Sequence, residues 1–526
     1  MRTTTACVLI LSAVLSGCTA SKGPQTAPAA TAAPPAVAPA PELEWARGAV
    51  FYEVFVRAFA DGNGDGVGDL PGLLGKLDYL NDGNPATSTD LGVDGLWLMP
   101  IFASPSYHGY DTVDYTKINP DYGTADDLKR LLDAAHARGM KVIVDLVVNH
   151  TGIDHPWFRT HRDWYVWRRD DPGWKQPWGN GSTWHGKDGS YYYGIFWSGM
   201  PDLNFRNPAV REEIHRIAAS WLDQGLDGFR LDAARHIVED GPGGGQSDTP
   251  ETHAWWKEFA ERVRTKHPSA LLVGEVWSDT QTIGSYYREL PASFDFPLAA
   301  DIVKGVEEGK ADGIVSTLDE IATVYPEGAL DVPFLTNHDM ERVATQLGGD
   351  PAHLRSAAAV LLTLPGAPFL YYGEEVGLRN GREGGDEAKR TPMPWTGEGG
   401  RGWHPYAPGR ETDNVASQTG NPGSLLSHYR SWIAARHASP ALQEGNLRVL
   451  PATADGLLAF WRVSEAGKEA VLVAHNLSGS EVERTLAFVE PGTPRLLVGP
   501  DGASLDLASK TLHLPPHASA VWSFPR

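Results

Sequence analysis

Two cysteines, Cys7 and Cys18, are all that 526 residues contain, and both precede residue 41. No disulfide framework can hold a domain built from the remainder, whatever its compartment. Basic residues are also short: 45 Lys and Arg stand against 66 Asp and Glu, a formal charge of −21. A field of that sign repels phosphate backbones, which excludes nucleic acid as a partner and suits a neutral substrate. Long apolar runs are scarce too. The apolar stretch at residues 7–15 (CVLILSAVL) is too short to span a bilayer.

Glycine (57) and tryptophan (18) are plentiful, so many tight turns and flat aromatic faces must be placed. With 41% hydrophobic and 21% charged residues the composition is that of a globular protein, and the length predicts two or three domains. Arg2, the short apolar stretch and Leu15-Ser16-Gly17-Cys18 resemble a bacterial lipoprotein signal. Residues 1–17 are then a signal peptide and Cys18 the lipidated first residue of the mature chain. An exported lipoprotein is expected, anchored to a membrane at the outer membrane, cell surface or periplasmic face. The Ala/Pro-rich segment 18–41 cannot bury a core and reads as an extended tether.

From Trp45 onward short apolar runs alternate with amphipathic stretches such as 124–138 and 207–224. Candidate strands are 49–56, 95–99, 141–148, 228–231, 271–274, 332–336 and 368–372, with a weaker one near 293–297. Continuous apolar strands between helices predict a parallel sheet buried on both faces, and eight of them a (β/α)8 TIM barrel. The barrel occupies 42–149 and 207–440. It is interrupted after the third strand by a small inserted domain, 150–206, that holds seven of the tryptophans. After residue 440 the pattern changes to short strands separated by turns (447–450, 457–463, 470–476, 484–488, 520–524), so 441–526 reads as an antiparallel β domain.

Polar residues concentrate where strands end, in DLVVNH (145–150), GFRLDAARH (228–236), VGEVW (273–277) and FLTNHD (334–339). Cleaving an acetal by acid–base chemistry takes two carboxyl groups flanking the bond, one ionised and one protonated. Arg230 lies two residues before Asp232, so on a strand both side chains point to one face. Glu275 follows apolar residues whose burial would raise its pKa, as a general acid requires. Asp339, beside His338, offers a third carboxylate. Singly, each fragment also suits a helix cap or an ion pair; together, in order on successive strands, they define a site.

On these four segments, with MPDLNF (200–205) as a fifth, the chain resembles glycoside hydrolase family 13, the α-amylase family, over about residues 45–526. The resemblance implies a retaining mechanism with Asp232 as nucleophile, Glu275 as general acid and base, and Asp339 as transition-state stabiliser. Arg230 would orient the nucleophile, and His150 and His338 would bond hydroxyls of the sugar being cleaved. In SYHGYD (106–111), Tyr110 would stack beneath that sugar and His108 would bond to it. Arg342 falls where the family often has another substrate-contacting arginine. Arg235-His236 replaces a Lys-His pair that contacts sugars beyond the cut, and Arg keeps the charge while altering the geometry.

Asp61, Asn63, Asp65, Val67 and Asp69 place side-chain oxygens at positions one, three, five and nine of a loop, with a backbone carbonyl at seven. Such hard ligands suit Ca²⁺. An EF-hand would need Glu at position twelve, where Gly72 stands; the loop instead resembles the calcium loop of the oligo-1,6-glucosidase branch. A second structural calcium, between barrel and insert at Asn149 and Asp202, is implied by many α-amylases. The insert's tryptophans read mainly as its own core, with one or two exposed as sugar platforms.

RTPMPW (390–395) leans towards the oligo-1,6-glucosidase branch, and MPDLN towards neopullulanases. Exo-acting relatives carry Asp three residues before the stacking Tyr, where Tyr107 stands here, and α-1,6-specific ones carry Val at the position of Ala233. The expected activity is therefore internal cleavage of α-1,4 bonds in starch and maltodextrins. The alternatives are an exo-acting α-glucosidase, oligo-1,6-glucosidase or cyclomaltodextrinase, then a transglycosylase or trehalose-forming isomerase. Outside catalysis the alternative is a glucan-binding surface lipoprotein. The transporter subunits that share this fold have lost the carboxylates retained here.

Overall fold

The computed structural model describes residues 41–451, 456–464, 466–487 and 492–525. The proposed signal peptide, the tether to residue 40 and the lipidation site Cys18 lie outside the described residues. Eight parallel strands form the central sheet: β1 (Phe51–Val54), β2 (Gly95–Leu98), β3 (Lys141–Leu146), β4 (Gly228–Leu231), β5 (Leu271–Gly274), β6 (Ala292–Phe294), β7 (Leu330–Val332) and β8 (Phe369–Tyr371). Their order is β7-β6-β5-β4-β3-β2-β1-β8, and a parallel bridge from Phe334 to Phe369 joins the two ends, so the sheet is a nearly closed TIM barrel.

Strand parity sorts the side chains. One set, including Phe51, Trp97, Ile143, Leu271, Val273, Phe294, Phe334 and Phe369, packs together as one cluster. The other, including Tyr52, Val54, Leu96, Leu98, Val142 and Val144, belongs to a separate core shared with the surrounding helices. Glu53, Asp145 and Arg230 share the parity of the first set and continue it towards the strand ends. Register places Glu53 opposite Trp97, and Asp145 opposite Arg230. An apolar plug therefore lies below a polar layer.

The amphipathic stretches are helices with the expected starts. Thr124 makes a capping box with Asp127 at the head of Ala125–Ala137, and Asn207 caps Pro208–Asp223. The seventh strand differs from its expected span of 332–336: it ends at Val332, because Pro333 has no N–H for the ladder. The chain pairs once more through Pro333 and Phe334 with Phe369, and residues 335–339 then leave the sheet as a loop that carries His338 and Asp339 over the barrel mouth.

The insert contains a three-stranded antiparallel sheet of Trp167–Arg168, Ser190–Tyr193 and Trp184–Lys187, with Ser190–Tyr193 central. The C-terminal domain pairs a five-stranded antiparallel sheet with a three-stranded one of Val482–Thr485, Thr511–Leu514 and Ser504–Asp506. Strands at Arg495–Val498, Ser504–Asp506 and Thr511–Leu514 add to those expected; for the strand expected at 484–488, whose last residue lies outside the described residues, the observed one runs Val482–Thr485. Buried Arg462 ties this domain to the barrel, donating to the Thr363 carbonyl at 2.7 Å and the Gly445 carbonyl at 2.8 Å. Among the described residues no helix is long and apolar enough to cross a membrane.

Candidate active site

Arg230 is the hub. Its Nη1 donates to Asp145 Oδ1 at 2.7 Å and to Asp232 Oδ1 at 2.6 Å, and its Nη2 lies 2.6 Å from Glu275 Oε1. One buried guanidinium thus bonds both carboxyl groups expected to act on the bond. Ala233, directly after Asp232, sits in the left-handed region at φ 47°, and its N–H donates to Glu275 Oε2 at 2.8 Å. A non-glycine residue there carries strain, and here the strained turn joins the two carboxyl groups by a second route.

Burial raises the Glu275 carboxyl to about 8, Arg230 opposes the rise, and the charges of Asp232 and Asp339 add to it. Asp145 is likewise raised by burial, to about 6, against Arg230. Asp339 goes the other way: against its burial, His338 and Arg390 hold it well below the usual carboxylate range. Within one polar layer the environment separates a carboxyl group that keeps its proton at neutral pH from one that does not.

His338 Nδ1 is 2.6 Å from Glu53 Oε1, and its Nε2 is 3.1 Å from Asp339 Oδ2 and 2.5 Å from the Tyr110 hydroxyl. The Tyr110 ring stacks on His338 with centroids 5.5 Å apart and donates its hydroxyl proton to Asp145 Oδ2 at 3.1 Å. Gly109, at φ 85°, makes the turn: a Cβ there would come within 2.9 Å of the Pro100 carbonyl oxygen. His108 Nδ1 accepts the Tyr110 N–H at 3.1 Å, and His150 Nε2 lies 3.1 Å from the Tyr110 carbonyl oxygen. His108, Tyr110, His150 and His338 are therefore brought together beside the three carboxylates.

Arg342 is different. It is only 1% exposed, its Nε and Nη1 donate to the carbonyls of Lys389 and Tyr372, and it lies over the rings of Tyr371 and Tyr372. Held this way it braces the loop after β8 and does not present a donor to a sugar. The second arginine at the site is Arg390, whose Nη2 donates to Asp339 Oδ1 at 2.7 Å and whose Nε donates to the His338 carbonyl at 3.0 Å. It opens RTPMPW, a motif read from sequence without a role for its arginine.

Arg235 is also held by protein groups. Its guanidinium pairs with Asp248, Nε–Oδ1 at 3.0 Å and Nη2–Oδ2 at 2.5 Å, and its Nη1 donates to the Trp277 carbonyl at 2.6 Å. Its geometry thus differs from a free lysine, as the substitution implied. His236 Nδ1 lies 2.9 Å from the Gln246 carbonyl oxygen, and its ring meets the Trp178 ring edge-on at 5.4 Å. Of the insert's tryptophans, Trp178 and Trp197 are each 53% exposed, whereas Trp184 is buried and Trp157, Trp164 and Trp167 pack partly buried against the core. Trp277, 47% exposed, lies two residues after Glu275 and stacks on Phe296 at 4.6 Å. Sequence could not choose among these rings, because exposure is set by what packs over each.

The loop from Asp61 to Asp69 is wound on its own side chains. Asp61 accepts the N–H groups of Asn63, Gly64 and Gly66, Asn63 accepts that of Asp65, and Asp65 that of Val67. Burial raises the Asp69 carboxyl, and the charges of Asp61 and Asp65 push it further the same way. A divalent cation would relieve that repulsion, so the donor set suits Ca²⁺. Among the described residues no group of three or more His, Cys, Asp or Glu side chains is already arranged to hold a metal ion, so an ion here would draw these groups together. At the junction of barrel and insert, Asn149 Oδ1 and Asp202 Oδ2 are buried without partners, and burial holds the Asp202 carboxyl well above its usual value. Orphaned oxygens of this kind also suit a cation.

A barrel with three carboxylates around an arginine at the carboxyl ends of its strands defines a glycosidase-type enzyme site. Residues 53–445 match the family description "Alpha amylase, catalytic domain", and residues 457–521 match "Alpha-amylase SusG C-terminal domain". Alpha-amylase 3 of Dictyoglomus thermophilum is 40% identical over 464 residues, 84% of this chain and 87% of that protein. A 4-alpha-glucanotransferase of Thermotoga neapolitana is 32% identical over 459 residues, 84% of this chain and 98% of that protein. The solved structure of the α-amylase from H. orenii aligns with a TM-score of 0.82 at 40% identity, covering 91% of this chain and 99% of that one. The chain belongs to the α-amylase family, glycoside hydrolase family 13, and is an enzyme.

The charge balance is open to direct titration. Followed by infrared difference spectroscopy, the Glu275 carboxyl should lose its proton at about pH 8. In Asp232→Asn, which removes a charge that raises it, the midpoint should fall. A midpoint unmoved or raised in the variant would mean that the two carboxyl groups are not coupled.

Proposed function

We propose that the protein is a retaining α-glucan hydrolase that cuts α-1,4 bonds inside starch and maltodextrin chains. Asp232 attacks the anomeric carbon as Glu275 gives its proton to the glycosidic oxygen, and a glycosyl ester forms on Asp232. Glu275, now a carboxylate, takes a proton from water, which opens the ester with a second inversion. The shared guanidinium of Arg230 favours this reading, since it holds the two carboxyl groups close together, and retaining enzymes keep theirs about 5–5.5 Å apart, too near for an intervening water. Asp339, kept ionised by His338 and Arg390, faces the positive charge that develops on the ring.

One observation carries the internal mode of cleavage. Tyr107, three residues before Tyr110, stacks on Trp403 with centroids 5.1 Å apart and planes 20° apart. An aromatic wall stands where exo-acting relatives place a carboxylate hook, and a longer glucan can pass beside it. Starch viscosity is expected to fall before much glucose or maltose appears, with isomaltose left nearly untouched. Tyr107→Asp with Ala233→Val should shift activity towards short oligosaccharides and α-1,6 links. Glucose released from chain ends at the outset, or preference for isomaltose over maltotriose, would replace this reading with an exo-glucosidase. Transfer to a sugar instead of water is the second reading, favoured by the exposed rings of Trp178 and Trp277 beside Arg235-His236; products longer than the substrate in the same time course would establish it.

Calcium forms part of the proposal as a structural ion, held by Asp61, Asn63, Asp65, Asp69 and the Val67 carbonyl, with a second at Asn149 and Asp202. An ion bound only by the folded state stabilises it by mass action, about 2.7 kcal/mol at a hundredfold excess over Kd. Chelation should therefore lower Tm by several degrees, and Asp65→Ala should reproduce part of that drop and respond less to chelator. Melting unchanged in both would leave the loop a turn.

Export as a membrane-anchored lipoprotein through Cys18 completes the proposal. Several acyl chains, each buried CH₂ adding about 0.8 kcal/mol, would give firm retention. Full-length protein should fractionate with membranes, and Cys18→Ser should be released or left unprocessed. Unlipidated wild-type protein recovered wholly in the medium would exclude it.

A further inference from the structure

Glu53 is the single charged residue of β1, and its side chain lies in the barrel interior, 2% exposed. Its Oε1 meets His338 Nδ1 at 2.6 Å. On the other side of the ring, Nε2 faces Asp339 Oδ2 at 3.1 Å and the Tyr110 oxygen at 2.5 Å. With the Tyr110 proton on Asp145 Oδ2, at 3.1 Å, the Tyr110 oxygen is left to accept from Nε2. A neutral imidazole has one N–H and one lone pair. With the proton on Nε2 alone, Nδ1 would aim a lone pair at Glu53 Oε1; with it on Nδ1 alone, Nε2 would aim one at the Tyr110 oxygen, with the Asp339 carboxylate 3.1 Å away.

We propose that Glu53 is a positioning residue that keeps His338 a doubly protonated imidazolium, with its Nε2–H held between Tyr110 and Asp339. The titratable groups that face the ring are Glu53 from β1, Tyr110 from the loop after β2, Asp145 from β3 and Asp339 beside it. Two cations lie close by: Arg230, whose guanidinium carbon is 5.9 Å from the Tyr110 ring centre, and Arg390, bonded to the His338 carbonyl. Carboxylates outnumber cations around the ring. Burial works against its charge, but Asp339 and Glu53 prevail and push the imidazole up to about 10.

The consequence for catalysis rests on the reading of His338 and Asp339 as sugar-facing groups. Both N–H groups of the buried ring are engaged within the protein, so its charge acts on the sugar through Asp339. The fixed positive charge also keeps Asp339 ionised wherever Glu275 still holds its proton. Without Glu53, the protonation of His338 would enter the working pH range and turnover would depend on it.

Two measurements on the full-length protein test this. In protein labelled with ¹⁵N-histidine, the His338 ring should keep both protons to above pH 9, whereas in Glu53→Gln it should titrate much nearer the ordinary histidine value of about 6.5. In turnover of maltodextrin, Glu53→Gln should lose about tenfold in kcat/KM at pH 7.5, one unit above that value, and approach wild type at pH 5.5. Glu53→Asp, which retains the charge, should recover most of the wild-type profile. Wild-type His338 titrating below pH 8, or a Glu53→Gln loss equal at both pH values, would overturn the assignment. The ring titration needs no turnover, so it stands or falls apart from the proposed hydrolysis. A low wild-type value overturns the assignment even if Glu53→Gln does not fold, and Glu53→Asp, with its charge retained, then separates Glu53 from Asp339.

Discussion

The Arg230 guanidinium is the interaction on which the rest of the site depends. Buried charge is costly unless paired, and here one cation is bonded to Asp145, Asp232 and Glu275 in a layer almost closed to water. Removing it would leave carboxylates crowded without compensation, and the polar layer would have to rearrange or take up protons. The same pairing fixes the angle at which the Asp232 and Glu275 carboxyl groups face one another. Stability and geometry are set by one side chain.

A second cationic cluster, His338 with Arg390, serves Asp339 in the same way from the loops after β7 and β8. The two clusters meet at Tyr110, whose hydroxyl bonds both Asp145 and His338. A continuous chain of hydrogen bonds therefore runs from Glu53 in the first strand through His338, Tyr110, Asp145 and Arg230 to both Asp232 and Glu275. Low local polarity strengthens each link, and it penalises any group left unsatisfied.

Much of this was legible in the chain because strand parity is a local property. Arg230 and Asp232 two apart, and Glu275 after an apolar run, could be placed on the inner face without knowing the fold. Arg390 could not: it lies 51 residues beyond Asp339 and reaches it only because the loop after β8 folds back over the mouth. Arg342, three residues after Asp339, is the better candidate by position, yet tertiary packing turns it onto backbone carbonyls. Glu53 stands inside a strand that reads as plain core; its one charge among apolar neighbours is the available signal. The exposure of Trp178, Trp197 and Trp277 depends on what covers each ring, which no local pattern records. In the C-terminal domain the short strands 495–498 and 504–506 are largely exposed and carry little hydrophobic alternation to mark them.

The alternation of the barrel strands also constrains how such a site can change over time. Deleting or adding a single residue between Gly228 and Asp232 would turn Arg230 outward and swing Leu231 into the polar layer. Substitutions at these strands can be graded in effect, whereas a change of length is all or nothing. The long insert after β3 and the loop after β8 face no such parity rule. New specificity in this architecture should accumulate as insertions and deletions in those segments, around strands whose lengths are effectively frozen.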